Sequence, residues 1–241
     1  MELVIDIGNT SAKLAVFDGD EIVEVCRTPN QDLNRLPELR AKYNLTKGII
    51  STVITLGSSV MEQLATLPFE IMFLGPDTPL PTDAMGHYAK LLGADRVAAI
   101  VEATGRFPGK DIFVADAGTA ITYEFIEASG VYLGGNIAPG VRMRLKALSE
   151  YTDKLPLVSE RGDTPLIGYD TATAIRAGVI DGAKHEIEGF FRLFRATHPD
   201  AIAIVTGGNE FSFSKEIQDC LVIDKHVVLK GLKRILNYND K

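Results

Sequence analysis

The chain has 241 residues, of which 46% are hydrophobic and 24% are charged, so it can bury a sizeable core and gives no indication of disorder. Its formal net charge is -7, without a run of Lys and Arg, which argues against nucleic acid as the main partner. The N-terminal residues carry neither a basic leader nor a long apolar segment, and Cys26 and Cys220 form no C-x-x-C pattern. We therefore expect a cytoplasmic protein with free thiols and without a membrane span.

The start of the chain predicts a β-hairpin. The apolar residues 3–5 lead into the polar segment 6–11, and the strand-like residues 12–17 then end at the turn signal 18–20.

Strands and helices alternate after this hairpin. Residues 48–54 and 70–74 are typical of strands, and residues 33–43 and 58–66 are typical of helices. The alternation predicts mixed sheets flanked by helices.

The hairpin pattern returns near the middle of the chain. Residues 112–115 lead to Asp116-Ala117-Gly118-Thr119-Ala120, and residues 121–126 follow as another strand. Each copy places an Asp, Asp6 or Asp116, at the end of a buried strand, with a Gly two residues later and a hydroxyl residue shortly after. One copy is weak evidence, but two in matched settings predict an internal duplication.

The duplication predicts two related α/β lobes, residues 1–110 and 111–241, with a cleft between them. The second lobe continues with predicted helices at 141–151 and 171–197, a strand at 201–205 that ends in Thr206-Gly207-Gly208, and a closing helix at 227–236. A further glycine-rich segment, residues 134–140, is predicted to be a turn before a helix.

The two hairpin turns have the composition of phosphate-binding loops. Gly8 and Gly118 allow a backbone to approach a polyphosphate closely, and Asp6 and Asp116 are hard oxygen ligands for a metal ion. No P-loop or dinucleotide-binding glycine motif is present. Further donors come from Asn9, Thr10, Ser11 and Thr119, and Lys13 is either a positive charge for the phosphates or a solvent-facing strand residue.

Asp95 and Arg96 precede the helical residues 97–104. A helix N-terminus and a neighbouring cation both favour an ionised carboxylate, which can orient a hydroxyl group and accept its proton. Arg96 can bind a substrate carboxylate or pair within the protein. On these residues alone, helix capping with a surface ion pair is the more frequent role.

Taken together, these segments resemble type III pantothenate kinases, a family of the actin, hexokinase and heat-shock ATPase superfamily. The resemblance runs almost from end to end and implies duplicated actin-like, or ribonuclease H-like, lobes. The matching segments are Asp6-Ile7-Gly8-Asn9-Thr10 with Lys13, Gly93-Ala94-Asp95-Arg96, Asp116-Ala117-Gly118-Thr119-Ala120 with Thr122, Gly134-Gly135 with Pro139-Gly140, Leu155-Pro156, Gly168 with Thr171 and Gly178, Thr206-Gly207-Gly208, and Leu229-Lys230-Gly231-Leu232.

The resemblance implies a kinase that phosphorylates the primary hydroxyl of pantothenate with ATP, the first step toward coenzyme A. It implies Asp95 as proton acceptor and a homodimer with the pantothenate pocket near the subunit interface. The implied ATP contacts are Asp6, Ile7, Gly8, Asn9, Thr10, Ser11, Ala12, Lys13 and Thr119. The implied pantothenate contacts are Gly93, Ala94, Asp95, Arg96 and Thr171.

Two cations are expected, the monovalent one from the resemblance and the divalent one from the two aspartates. A monovalent ion, potassium or ammonium, is expected at Asp116, and magnesium is expected with ATP, held by Asp6, by Asp116 or mainly by the nucleotide. The family usually carries an aromatic residue and a proline further upstream of the Gly-x-Asp-Arg segment. Here Tyr88 is the candidate for the aromatic role, at a shorter spacing from Gly93.

Two other functions fit parts of this pattern. One is a kinase or phosphohydrolase of the same fold that acts on another small acceptor, such as a sugar or acetate. The other is a non-enzymatic nucleotide-binding transcriptional accessory factor. The pair Asp95 and Arg96 distinguishes an enzyme from a regulator, because a regulator does not need an ionised carboxylate on the acceptor side. The acidic net charge also disfavours direct DNA binding.

Overall fold

The computed structural model describes residues 1–240, which divide into two compact units. The first comprises residues 1–108 with the stretch that begins at His226, and the second comprises residues 109–225. Each unit contains a five-stranded mixed sheet with helices, which confirms the predicted fold class. Both cysteines are free thiols. Within residues 1–240, no helix has the length and apolar character needed to cross a membrane.

The first unit begins with three antiparallel strands and continues in alternating strands and helices. Its elements up to residue 108 are β1 (Glu2–Ile7), β2 (Ser11–Asp18), β3 (Glu21–Pro29), α1 (Leu36–Lys42), β4 (Lys47–Thr52), α2 (Ser58–Ala65), β5 (Ile71–Phe73), a 3-10 helix (Gly86–Lys90) and α3 (Ala94–Arg106). The strand order is β3-β2-β1-β4-β5, and β4 and β5 run parallel to β1. Central β1 has a nearly continuous apolar sequence because Leu3, Val4 and Ile5 are buried on both of its faces.

The second unit repeats this plan. Its elements are β6 (Ile112–Ala117), β7 (Ala120–Ile126), β8 (Tyr132–Pro139), α4 (Val141–Glu150), α5 (Thr171–Arg176), a π-helical turn (Ala177–Asp181), α6 (Gly182–Thr197), β9 (Ile202–Gly207), α7 (Lys215–Gln218) and β10 (Leu221–Ile223). The strand order is β10-β9-β6-β7-β8, so β6 is the counterpart of β1 and β9 that of β4. The predicted duplication is thus confirmed in the topology of both sheets.

The prediction of a glycine-rich turn at residues 134–140 is wrong. Most of the segment belongs to β8, which pairs with β7 in antiparallel register. β8 is an edge strand with a largely exposed surface, so Gly134, Gly135 and the terminal Pro139 cost little there.

The last helix, α8 (Val227–Asn239), differs from the predicted division of the lobes. The prediction assigns it to the lobe 111–241, whereas the structure groups it with the first unit. It crosses α3 so closely that a Cβ at Gly231 would overlap the carbonyl of Ala98. Its apolar face, including Leu229 and Leu232, is fully buried, and this burial explains why the helix returns to the first sheet.

Candidate active site

The turn between β1 and β2 is held by its own backbone and by one distant side chain. The N–H of Gly8 donates to the carbonyl of Ser11 at 3.1 Å. The side-chain amide of Asn30, the residue after β3, donates to the carbonyls of Gly8 at 3.1 Å and Asn9 at 2.8 Å. A Cβ at Gly8 would find its nearest atom at an ordinary 3.5 Å, so the fold does not require glycine there. Its presence fits the predicted close approach of a ligand.

Asp6, at the end of β1, lies between two polar partners. The strand register places Lys13 of β2 on one side and Ser51 of β4 on the other. Ser51 is only 1% exposed, and its hydroxyl donates to Oδ1 of Asp6 at 2.9 Å. Burial raises the pKa of Asp6 above its ordinary value, Lys13 and the Ser51 hydrogen bond oppose the increase, and the nearby Asp95 carboxylate adds to it.

Asp95 lies in the first turn of α3, as predicted. The N-cap residue is Gly93, which has no side chain to accept from the first N–H groups of the helix. Oδ1 of Asp95 instead accepts a hydrogen bond from the N–H of Arg96 at 2.8 Å. A carboxylate at this end of a helix is stabilised by the helix dipole. The first unit therefore brings Asp6, Lys13 and Asp95 close together, with two carboxylates and one ammonium group.

The turn between β6 and β7 has more partners than the first. The backbone N–H groups of Gly208 and Asn209 donate to the carbonyl of Ala117 at 3.2 and 3.3 Å. The side-chain amide of Asn209 donates to the same carbonyl at 2.8 Å and lies 3.5 Å from that of Gly118, at the limit of a hydrogen bond. Several donors therefore fix the Ala117 carbonyl in one orientation.

Two glycines next to this turn are required by the fold itself. Gly140 donates its N–H to the carbonyl of Thr119 at 3.1 Å, and a Cβ there would overlap Thr119. Gly207 has a φ of +100°, and a Cβ there would clash with the backbone of Ala117. These two positions thus have a packing reason to be glycine.

Asp116 occupies the position in β6 that Asp6 occupies in β1. Its register partners are Thr122 of β7 and the buried Thr206 of β9. The carboxylate thus has hydroxyl residues on both sides, where Asp6 has a hydroxyl residue on one side and a cation on the other. Carboxylate and hydroxyl oxygens are hard donors, so this set fits an alkali or ammonium ion.

The described residues contain no cluster of three or more His, Cys, Asp and Glu side chains that could hold a metal ion. A divalent ion at Asp6 would therefore need phosphate oxygens and water to complete its coordination, as is usual for Mg²⁺. The residues present fit an ion that arrives with a nucleotide.

Comparisons with known proteins identify the family. The sequence profile described as type III pantothenate kinase matches residues 2–193. A type III pantothenate kinase from Phocaeicola vulgatus is 50% identical over 241 residues, with 100% of both chains covered.

The chain belongs to the type III pantothenate kinase family.

Solved structures of other proteins share the fold of this chain. A Campylobacter jejuni protein assigned to the Baf family of transcriptional activators aligns with a TM-score of 0.59 at 23% identity, and 98% of each chain is covered. The activator of the 2-hydroxyisocaproyl-CoA dehydratase from Clostridium difficile, solved with bound ADPNP, aligns with a TM-score of 0.55 at 12% identity over 98% of this chain and 93% of that one.

Two further residues that the family resemblance selected lie on other elements of their units. Tyr88 is in the 3-10 helix before α3, is 37% exposed, and packs its ring against His87 with centroids 4.1 Å apart. Thr171 is the first residue of α5 in the second unit and is exposed. It follows the N-cap Asp170, whose pKa is lowered by the hydrogen bonds from Thr173.

Sequence reasoning missed three polar residues that contact Asp6 or one of the two turns of this chain: Ser51, Asn30 and Asn209. Their partners lie 45, 22 and 92 residues away in the chain, a separation that no local pattern reveals. The one available signal was position, because Asn30 and Asn209 each stand shortly after the end of a strand.

Proposed function

We propose that this chain transfers the γ-phosphoryl group of ATP to the primary hydroxyl of pantothenate, the first step of coenzyme A biosynthesis. Membership of the type III pantothenate kinase family supports the enzyme class and the acceptor. The structural observation that carries the proposal is Asp95, a carboxylate at the N-terminus of α3, close to Asp6 and Lys13 at a glycine turn.

The turn between β1 and β2 binds ATP phosphate through residues 6–13. Lys13, opposite Asp6 in the register, adds the positive charge that a polyphosphate requires. Thr119, exposed in the turn between β6 and β7, adds a further ATP contact in the second unit. The ATP is used with a divalent metal ion, which neutralises phosphate charge when bound. Asp6, two residues before Gly8, is the candidate carboxylate for this ion in the first unit.

Asp116 holds a monovalent cation. The hydroxyl residues opposite it in the register, Thr122 and Thr206, supply hard oxygens and no competing positive charge. Potassium or ammonium is the expected ion.

Asp95 acts on the acceptor. Phosphoryl transfer passes through a loose transition state, so the acceptor hydroxyl must be positioned more than it must be activated. Oδ1 of Asp95 is held by the Arg96 N–H, which leaves Oδ2 to accept a hydrogen bond from the acceptor hydroxyl. Oδ2 takes the proton as the hydroxyl oxygen bonds to the γ-phosphorus and the bond from that phosphorus to the leaving ADP oxygen breaks.

The remaining pantothenate contacts in this proposal are Gly93, Ala94, Arg96, Thr171 and Tyr88. Arg96 pairs with the substrate carboxylate, for which its guanidinium geometry is suited.

We further propose that the chain works as a homodimer. The stretch between α4 and α5 exposes large side chains, among them Tyr151 at 87%, Leu166 at 86% and Ile167 at 82%. Exposed side chains of this size within one segment are the kind of surface that a partner covers.

An acceptor panel tests the function. Purified protein is supplied with MgATP and potassium, and ADP release is followed with pantothenate, acetate and several sugars as separate acceptors. We expect turnover with pantothenate alone. Turnover with a sugar or acetate instead would assign the chain to another kinase of this fold, and nucleotide binding without turnover on any acceptor would favour the regulatory function.

A further inference from the structure

One asparagine after β3 and another after β9 each donate a side-chain amide to the carbonyls of one hairpin turn. Asn30 donates its side-chain amide to the carbonyls of Gly8 and Asn9, and Asn209 donates its amide to Ala117 and, more weakly, to Gly118. Both side chains are half-buried, and both reach across from a separate strand. Each unit therefore contains a side-chain clamp at its hairpin turn, although the two clamps follow non-equivalent strands, β3 and β9.

The clamps act on carbonyl groups, yet they determine where N–H groups point. A trans peptide unit is planar, so its N–H points opposite to its C=O. No peptide bond is cis within residues 1–240. When Asn30 holds the carbonyls of Gly8 and Asn9, the N–H groups of Asn9 and Thr10 must therefore point away from Asn30.

The same geometry holds in the second unit. The Ala117 and Gly118 carbonyls face Asn209, so the N–H groups of Gly118 and Thr119 point to the opposite side. Successive N–H groups aimed in one direction form the kind of concave donor set that binds phosphate oxygens.

We propose that Asn30 and Asn209 are positioning residues for the nucleotide: each fixes the peptide orientation of one turn and so presents its N–H groups to a phosphate. This inference rests on the proposed use of ATP and adds the residues that organise each phosphate-binding turn. Neither asparagine contacts the phosphate itself in this account. Loss of the amide lets the peptide units rotate, so that a carbonyl oxygen can face the anion.

The two clamps are unequal in importance. The Ala117 carbonyl is also bound by the backbone N–H groups of Gly208 and Asn209, whereas the Gly8 and Asn9 carbonyls depend on the Asn30 side chain. Removal of the amide should therefore disturb the first turn more than the second.

The test measures MgADP affinity by calorimetry without any acceptor, in wild-type protein and in the variants Asn30→Asp, Asn30→Ala and Asn209→Ala. Asn30→Asp keeps the side-chain volume but sets carboxylate oxygens against the turn carbonyls. We expect about tenfold weaker binding for both Asn30 variants and about threefold weaker binding for Asn209→Ala. The matched control is Asn239→Ala, since Asn239 also donates its amide to two carbonyls, those of Pro79 and Ile235, both at 2.9 Å.

A second set of measurements distinguishes a positioning role from general damage to the fold. If wild-type protein phosphorylates pantothenate, the KM for ATP should rise in the Asn30 variants while the KM for pantothenate and the thermal midpoint stay within about twofold and a few degrees of wild type. Unchanged MgADP affinity in folded Asn30 variants overturns the inference, as does an equal loss in Asn239→Ala. If wild-type protein binds MgADP but does not phosphorylate pantothenate, a loss of affinity in Asn30→Asp still supports the clamp while the proposed acceptor fails.

Discussion

The two duplicated turns share a backbone plan but differ in the charges around their aspartates. Asp6 and Asp116 occupy equivalent positions in equivalent strands, and a hydroxyl residue, Ser51 or Thr206, faces each from the parallel neighbour. On the antiparallel neighbour, however, the first unit places Lys13 and the second places Thr122.

From this difference we expect the two copies to have different roles. A turn with an ammonium group beside it suits the negative charge of a polyphosphate. A carboxylate with hydroxyl groups on both sides suits a cation. Asp95 belongs to the first unit, and its carboxylate is among the charges that influence Asp6. We therefore propose that the first unit supplies the acceptor chemistry and that the second unit holds the monovalent cation.

The largest effect is expected for Asp95→Asn. The amide keeps the shape of the side chain but cannot accept a proton, so kcat should fall by about 10² to 10⁴. MgADP affinity should stay near the wild-type value, because Asp95 serves the acceptor. Steady-state kinetics and calorimetry measure the two quantities, and Asp77→Asn, at an exposed carboxylate paired with Lys90, is the control. Wild-type turnover in Asp95→Asn would remove this residue from the mechanism.

Asp116→Asn tests the role of the second turn. Loss of the carboxylate should raise the potassium concentration for half-maximal rate at least about tenfold. Mutation of residues around other metal sites lowers metal affinity by a similar factor. Rates are measured across a potassium series at constant ionic strength. Equal wild-type rates in sodium-only and potassium buffers would contradict the cation assignment before any variant is made.

Asp6→Asn should stabilise the fold at neutral pH while it lowers activity. The pKa of Asp6 is raised in the folded chain, so the native state binds more protons than the unfolded state. Stability therefore falls as the pH rises above the ordinary Asp pKa of 3.8. The neutral amide of Asn avoids the cost of burying a charge, and its oxygen can still accept a hydrogen bond from Ser51. Thermal melts should show a midpoint a few degrees higher than wild type at pH 7. This difference should shrink as the pH falls toward the pKa of Asp6 in the unfolded chain. A lower midpoint at neutral pH would show that Asp6 is stabilising as an anion.

The smallest effect is expected for Ser51→Ala. The Ser51 hydroxyl favours the ionised form of Asp6, so its loss should raise the pKa of Asp6 further and shift the acid limb of the kcat/KM profile to higher pH. At pH 8 the rate should lie within about twofold of wild type. A uniform loss of activity at every pH would assign Ser51 to packing instead.

The sequence predicted those features that repeat or alternate locally. Both hairpins, with Asp6 and Asp116 at the strand ends, followed from apolar runs and turn residues. The clamps could not be predicted, because Asn30 and Asn209 act on carbonyls far away in the chain. β8 was mistaken for a turn since its glycines belong to an exposed edge strand, and the place of α8 depends on its contact with α3.

The most direct test of the central claim is the structure of the product formed from pantothenate and MgATP. Mass spectrometry should find one added phosphate, and phosphorus–proton coupling in NMR should place it on the primary hydroxyl carbon. ADP formation without a phosphorylated pantothenate, or phosphate at the secondary hydroxyl or the carboxylate, would contradict the assignment of Asp95 to the primary hydroxyl.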